Sequence, residues 1–231
     1  MKLFALLALF ALTAHADETL KSQLDAKTKE SHPKAKVKKV MDSSLEELRK
    51  ARLTERAAKK GGDFPGFSLP GTQGKIYQSS ALLKDGPLIV TFYRGSWCPY
   101  CNIQLAEYQK HLEEWKKLGA QIVAISPEMP DSTTAFAAKR NLTFPLLFDK
   151  DNAFASQLGL VYGLPADLKE VYKNFGVDLK ATQGNDAWRL PIAATYVVGK
   201  DGKIAYSFLD VDYKTRAEPS DITAALKASG K

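Results

Sequence analysis

The sequence has only two cysteines, Cys98 and Cys101, and three histidines, His15, His32 and His111, in 231 residues. Two cysteines cannot frame a small disulfide-rich scaffold. Structural zinc takes four ligands, and a Cys pair with three scattered histidines is a poor source of them, so no metal and no cofactor are expected. Internal repeats and low-complexity tracts are missing. So are long apolar runs: a bilayer-spanning helix needs about 20 apolar residues, and the run at residues 3–13 falls short. Acidic excess is absent too, with 33 Lys and Arg against 26 Asp and Glu, net +7. The basic residues concentrate between Lys21 and Lys60, which reads as a solvated face or a tether. No nucleic-acid partner is expected.

What is present begins with an export signal. Met1-Lys2 is a short positive start, residues 3–13 are apolar, and Ala14-His15-Ala16 offers small residues at a cleavage site. Residues 1–16 are therefore expected to be removed, leaving a chain from Asp17 without membrane contact. It would be periplasmic in a Gram-negative source and secreted otherwise, where disulfides persist. Residues 17–60 read as a separate, poorly packed polar arm, of which 17–40 are expected to add little to the core. Ser43-x-x-Glu46 is a capping-box pattern, so one helix is expected from there toward Lys60, ended by Gly61-Gly62.

From residue 61 to 231 strand and helix signals alternate. Residues 88–93 (Leu-Ile-Val-Thr-Phe-Tyr) read as a buried central strand. A helix is expected over 99–118, where Leu105, Tyr108, Leu112 and Trp115 share one face. Strands are expected at 121–126, 144–148, 195–198 and 204–208, the last two joined by a Gly199–Gly202 hairpin turn. Helices are expected at 131–141, 153–160, 165–175 and 219–229. This alternation implies an α/β fold, a central mixed sheet flanked by helices, with the helical arm in front.

The chemistry concentrates at Gly95-Ser96-Trp97-Cys98-Pro99-Tyr100-Cys101, between the first strand and its helix. With Cys98 at the N-cap, Pro99 falls at the first helical position, where its missing N–H costs nothing. Helix amides and the helix dipole then favour a Cys98 thiolate. A spacing of three puts both sulfurs on one side of the first turn, within reach of an intramolecular disulfide. A redox pair is one reading. A structural disulfide, half a zinc site, or a domain that keeps the motif without turnover are the others.

Cys98-Pro99-Tyr100-Cys101 matches the glutaredoxin tetrapeptide, but its surroundings do not. The segment 63–69 (Asp-Phe-Pro-Gly-Phe-Ser-Leu), the strand-to-motif run 92–101, Val123-Ala124-Ile125-Ser126-Pro127-Glu128, residues 144–149, Thr195-Tyr196-Val197-Val198 and Asp201-Gly202-Lys203-Ile204 resemble the alkyl hydroperoxide reductase and thiol-specific antioxidant family of peroxiredoxins. The resemblance runs over residues 61–228 and is nearest to a peroxiredoxin-like branch with a Cys-Pro-Tyr-Cys motif. It implies a thioredoxin-like fold and a thiol-dependent peroxidase, acting on hydrogen peroxide or organic hydroperoxides and re-reduced by a thioredoxin-like protein. A homodimer is left open.

The family register places the peroxide-attacking residue at Cys101, which makes Cys98 the resolving partner in a Cys98–Cys101 redox disulfide. Arg94, Trp97, Pro99, Tyr100 and Thr195 are then supporting residues, Arg94 with a catalytic charge. Two departures stand out. The helix-capping argument favours Cys98, not Cys101, as the more activated thiolate, although Cys98 is expected nearer the surface and Cys101 more shielded. Ala193 also stands where peroxiredoxins place an arginine, leaving Arg94 and Arg189 as candidates for that charge. The alternative enzyme reading is a thiol–disulfide oxidoreductase for exported proteins with Cys98 as nucleophile. The non-enzymatic one is a domain with a static disulfide.

Overall fold

A computed structural model of the chain describes residues 18–229; the expected leader, residues 1–16, lies outside them. In chain order the elements are α1 (Leu20–Glu30), α2 (Ala35–Lys50), α3 (Leu53–Arg56), β1 (Ser68–Pro70), β2 (Ile76–Gln78), α4 (Ser79–Asp85), β3 (Leu88–Phe92), α5 (Pro99–Lys117), β4 (Gln121–Ser126) and α6 (Pro130–Arg140). They continue with β5 (Leu146–Phe148), α7 (Ala153–Gln157), β6 (Val161–Gly163), α8 (Ala166–Asn174), α9 (Leu179–Gln183), β7 (Arg189–Pro191), β8 (Ala193–Val198), β9 (Ile204–Asp210) and α10 (Pro219–Ser229).

Five strands form the central sheet in the order β5-β4-β3-β8-β9. β3, β4 and β5 run parallel, and β8 and β9 add antiparallel strands at the other side. β3 is buried along its whole length because both sheet faces are covered. Ile89 joins the core beneath α5 and α10, while Leu88, Val90 and Phe92 join the core on the opposite face. The face of α5 read from the sequence is the packed one: Leu105, Tyr108, Leu112 and Trp115 are all buried.

The arm departs from its sequence reading. It contains three helices, not one, and it is docked rather than loose. Leu20 and Leu24 of α1 are buried against the α5 side of the core. Helix α2 begins at Ala35, so Ser43 is a mid-helix residue and caps nothing. Val37, Val40 and Met41, spaced three and one apart, pack on Leu164, Leu168, Val171 and Tyr172 in a separate cluster around α8. Lysines flanking those apolar residues mask the stripe when composition is read by segment. The antiparallel pairs of three-residue strands, β1–β2 and β6–β7, and the short α9 carried too little periodicity to be anticipated.

Candidate functional site

The polypeptide leaves β3 at Phe92 and turns through Gly95, whose φ is +148°. A side chain is excluded there, since a Cβ would meet Trp97 Nε1 at 2.3 Å. The backbone N–H and the hydroxyl of Ser96 both donate to the Glu128 carboxylate, each at 2.7 Å, which pins the turn to the end of β4. Glu128 is itself buried, and burial pushes its carboxyl up. Cys98 then caps α5 with Pro99 at the first helical position, as the sequence implies, and its Sγ accepts from the Cys101 N–H at 3.4 Å.

Each sulfur has its own guanidinium. Arg94 donates from Nη2 to Cys98 Sγ at 3.1 Å and from Nη1 to the Tyr172 hydroxyl at 2.7 Å. Its charge lies 4.2 Å from the Tyr213 ring and 5.2 Å from the Trp97 ring, a cation–π setting. Arg216 donates from Nη2 to Cys101 Sγ at 3.3 Å and from Nε to Gln104 Oε1 at 2.6 Å. Its Nη1 bonds the Tyr213 and Thr215 carbonyls. Behind it Gln104 donates to Thr91, whose hydroxyl lies 2.9 Å from that of Thr195, its register partner across β3 and β8.

Both cysteines are free, and both are 0% exposed. The expectation that Cys98 lies nearer the surface than Cys101 is thus corrected. The surroundings of the two thiols push them in opposite directions. Burial pushes the Cys98 thiol up, and the hydrogen bond to Cys101 pushes it further, against the pull of Arg94. Burial acts the same way on Cys101, but the hydrogen bond from Cys98 together with Arg216 and Arg94 outweighs it and holds Cys101 well below the ordinary thiol range. Both guanidinium charges act on both sulfurs, so the hydrogen bond between the two thiols, not the cap, is what separates them. These directions favour a thiolate on Cys101 over one on Cys98.

The structure brings Arg94, Trp97, Cys98, Pro99, Tyr100 and Cys101 into one site, with Thr195 one shell behind. Arg189 is not part of it: the side chain is exposed on β7 and reaches Ser156. Arg216 was not foreseen. It sits in the connection between β9 and α10, a segment without periodicity, 115 residues beyond Cys101. A lone arginine between Tyr213 and Pro219 was the only trace of it. Among the described residues no three His, Cys, Asp or Glu gather into a group that could hold a metal.

Sheet order, helix placement and a dithiol at the start of α5 define a protein of the thioredoxin-like fold with a buried redox-capable pair. More narrowly, the chain belongs to the AhpC/TSA family, whose model matches residues 61–207. It is 34% identical over 145 residues to the chloroplastic peroxiredoxin Q of Populus jackii, covering 63% of this chain and 57% of that protein. The chain thus spans little more than half the length of that relative. A Mycobacterium tuberculosis H37Rv protein bearing the peroxiredoxin name is 32% identical over 151 residues, 65% of this chain and 85% of its own. Among solved structures, Mycobacterium tuberculosis peroxidoxin BcpB superposes with a TM-score of 0.58 at 24% identity, covering 74% of this chain and 97% of its own. Xanthomonas campestris peroxiredoxin Q gives 0.55 at 20% identity, covering 76% and 98%. At those identities the two structures speak for the fold, a mixed sheet flanked by helices.

Proposed function

We propose that the protein is a thiol peroxidase in which Cys101 attacks and Cys98 resolves. The observation that carries this reading is a pair of free, buried sulfurs at the start of α5, each touched by a guanidinium. The Cys101 thiolate attacks one oxygen of ROOH; the S–O bond forms as O–O breaks, leaving a sulfenic acid and RO⁻. The alkoxide leaves as ROH after taking a proton, for which the Cys98 thiol is the nearest source. The resulting Cys98 thiolate attacks the sulfenic sulfur, forms the disulfide and expels hydroxide, which leaves as water. A thioredoxin-like dithiol returns the pair to the reduced state by exchange through a mixed disulfide. We further propose export through the leader at residues 1–16, with the periplasm or the extracellular space as the site of action; an N-terminus at Asp17 in mass spectra of the native protein is the expected result.

Rapid mixing of reduced protein with peroxide, followed through Trp97 emission, tests the reading. Cys98→Ser should still form a sulfenic acid at Cys101, trapped by a dimedone probe, yet fail to cycle with thioredoxin. Cys101→Ser should react no faster than an ordinary thiol. The competing disulfide-exchange reading, like re-reduction by a thioredoxin-like dithiol, needs a sulfur to become accessible to a protein, so burial of the reduced pair does not separate the two. Mixed disulfides formed by Cys101→Ser with exported proteins, without any fast peroxide reaction, would put that reading in first place.

A further inference from the structure

Glu128 is a buried carboxyl for which the peroxidase chemistry has no task. It is 2% exposed, lies just beyond β4, and among the described residues no basic side chain pairs with it. Burying a carboxyl without a counter-charge costs stability. What it touches is the turn before the cysteine pair. Its two oxygens accept separately from Ser96, Oε2 from the backbone N–H and Oε1 from the hydroxyl, each at 2.7 Å. Ser96 is held from the other side as well, its carbonyl accepting from Asn102 Nδ2 at 2.9 Å. Glu128 in turn is fixed to the sheet: its own N–H donates to Oγ of Ser126, the last residue of β4, at 3.0 Å.

The two sulfurs depend on this brace unequally. Cys101 lies inside α5, where helix hydrogen bonds fix its backbone, and Arg216 reaches it from another part of the chain. Cys98 is the N-cap. Its backbone is extended, with φ −88° and ψ 112°, and its N–H bonds the Gly95 carbonyl at 3.1 Å. The turn through Gly95, Ser96 and Trp97 therefore sets where Cys98 sits. Gly95, at φ +148°, brings no side chain to stiffen that turn, so the tie from Ser96 to Glu128 is what joins it to the sheet. Such a tie bears on rate, because a misplacement of about 1 Å at a reacting group costs about a hundredfold.

We infer that Glu128 is a positioning residue for the resolving step: it clamps Ser96, fixes the turn, and so aims Cys98 Sγ at the oxidised Cys101. This rests on the thiol-peroxidase reading above. The chemistry is unchanged. The Cys98 thiolate attacks the sulfenic sulfur, the disulfide forms and hydroxide leaves, while Glu128 touches no reacting atom.

Rapid mixing of the reduced protein with hydrogen peroxide separates the two steps. Sulfenic acid formation scales with peroxide concentration, and disulfide closure does not. Glu128→Ala should slow closure by about tenfold to a hundredfold and leave the first phase close to the unaltered rate. Sulfenic acid should then accumulate for a dimedone probe, and excess peroxide should drive it on to sulfinic acid. Glu128→Gln should restore closure, since Oε1 can still accept from the Ser96 N–H while Nε2 donates to the Ser96 hydroxyl oxygen. A clamp that served stability alone would lower the melting temperature without changing the ratio of the two phases. Unchanged closure in Glu128→Ala, an equal fall in both phases, or a Glu128→Gln as slow as the alanine variant would overturn the proposal. Should Glu128→Ala not fold, Ser96→Ala removes one of the two bonds and carries the same test: a smaller slowing of closure alone is expected, and its absence overturns the proposal. A normal first phase followed by the same closure rate in every variant defeats this proposal alone. A protein that reacts with peroxide no faster than free cysteine defeats the peroxidase reading with it.

Discussion

Arg216 is the guanidinium in direct contact with Cys101 and one of the two charges that favour its thiolate. Removing its charge leaves Cys101 with burial against it and only the Cys98 hydrogen bond and Arg94 in its favour. Arg216→Met should therefore raise the Cys101 pKa, seen as a shift of the thiolate absorbance titration near 240 nm. Each unit of that shift corresponds to about 1.4 kcal/mol. In the unaltered protein the peroxide rate should hold across neutral pH and fall in acid as Cys101 protonates; in Arg216→Met that fall should begin at higher pH. Stability follows the same signs. The Cys101 pKa is lowered on folding, so below the unfolded thiol value of about 8.5 the unfolded chain binds the extra proton, and stability rises with pH toward that value. The Cys98 pKa is raised on folding, so its contribution is complete below about 8.5 and is lost as pH climbs beyond it. Thermal melts of the reduced protein should show Cys101→Ser without the rising limb and Cys98→Ser without the falling one. Sequence reading located this site because Gly95 to Cys101 are contiguous. It missed Arg216 because a charge delivered by a distant, irregular segment leaves no spacing to read, and it left the order of the two sulfurs open between family register and helix capping because burial and charge partners are tertiary properties.

At the scale of elements, α1 is the clearest departure from a solvated tether. Leu20 is 1% exposed and Leu24 is 3% exposed, both within the core under the sheet. Leu→Ala changes at such sites cost about 2–5 kcal/mol. Leu20→Ala and Leu24→Ala should each lower the unfolding free energy by an amount in that range, read as a lower denaturation midpoint at unchanged m, and deleting residues 18–40 should be more damaging still. A truncated chain that melts like the full one would return the arm to the role its composition suggests. The same contrast shows which elements were legible. Helix α5 announced itself because Leu105, Tyr108, Leu112 and Trp115 repeat over three turns. Strand β3 did so because five apolar or β-branched residues run together after Gly86-Pro87. Helix α2 did not, since Lys34, Lys36, Lys38 and Lys39 surround its apolar stripe and the local signal at Ser43 suggested a later start.

Across the whole molecule, charge and closure are divided between the two parts of the chain. Residues 18–60 carry 13 of the 33 basic and 7 of the 26 acidic side chains, so nearly all of the net positive charge resides on the arm. The sulfurs, in contrast, have no exposed surface at all. A thiol under such a seal becomes a gauge of breathing. A reagent too large to slip past Arg94 and Tyr213 can modify only molecules whose cover has momentarily come away, so its rate relative to free cysteine measures an opening equilibrium. Each 1.4 kcal/mol of opening cost should slow labelling about tenfold. A dye-bearing maleimide should thus lag far behind iodoacetamide on the reduced protein, and sub-denaturing urea should close the gap. The consequence is one of timing: toward any oxidant too large to pass that seal, the reduced dithiol's shelf life is set by how seldom the fold opens, not by how reactive its thiolate is.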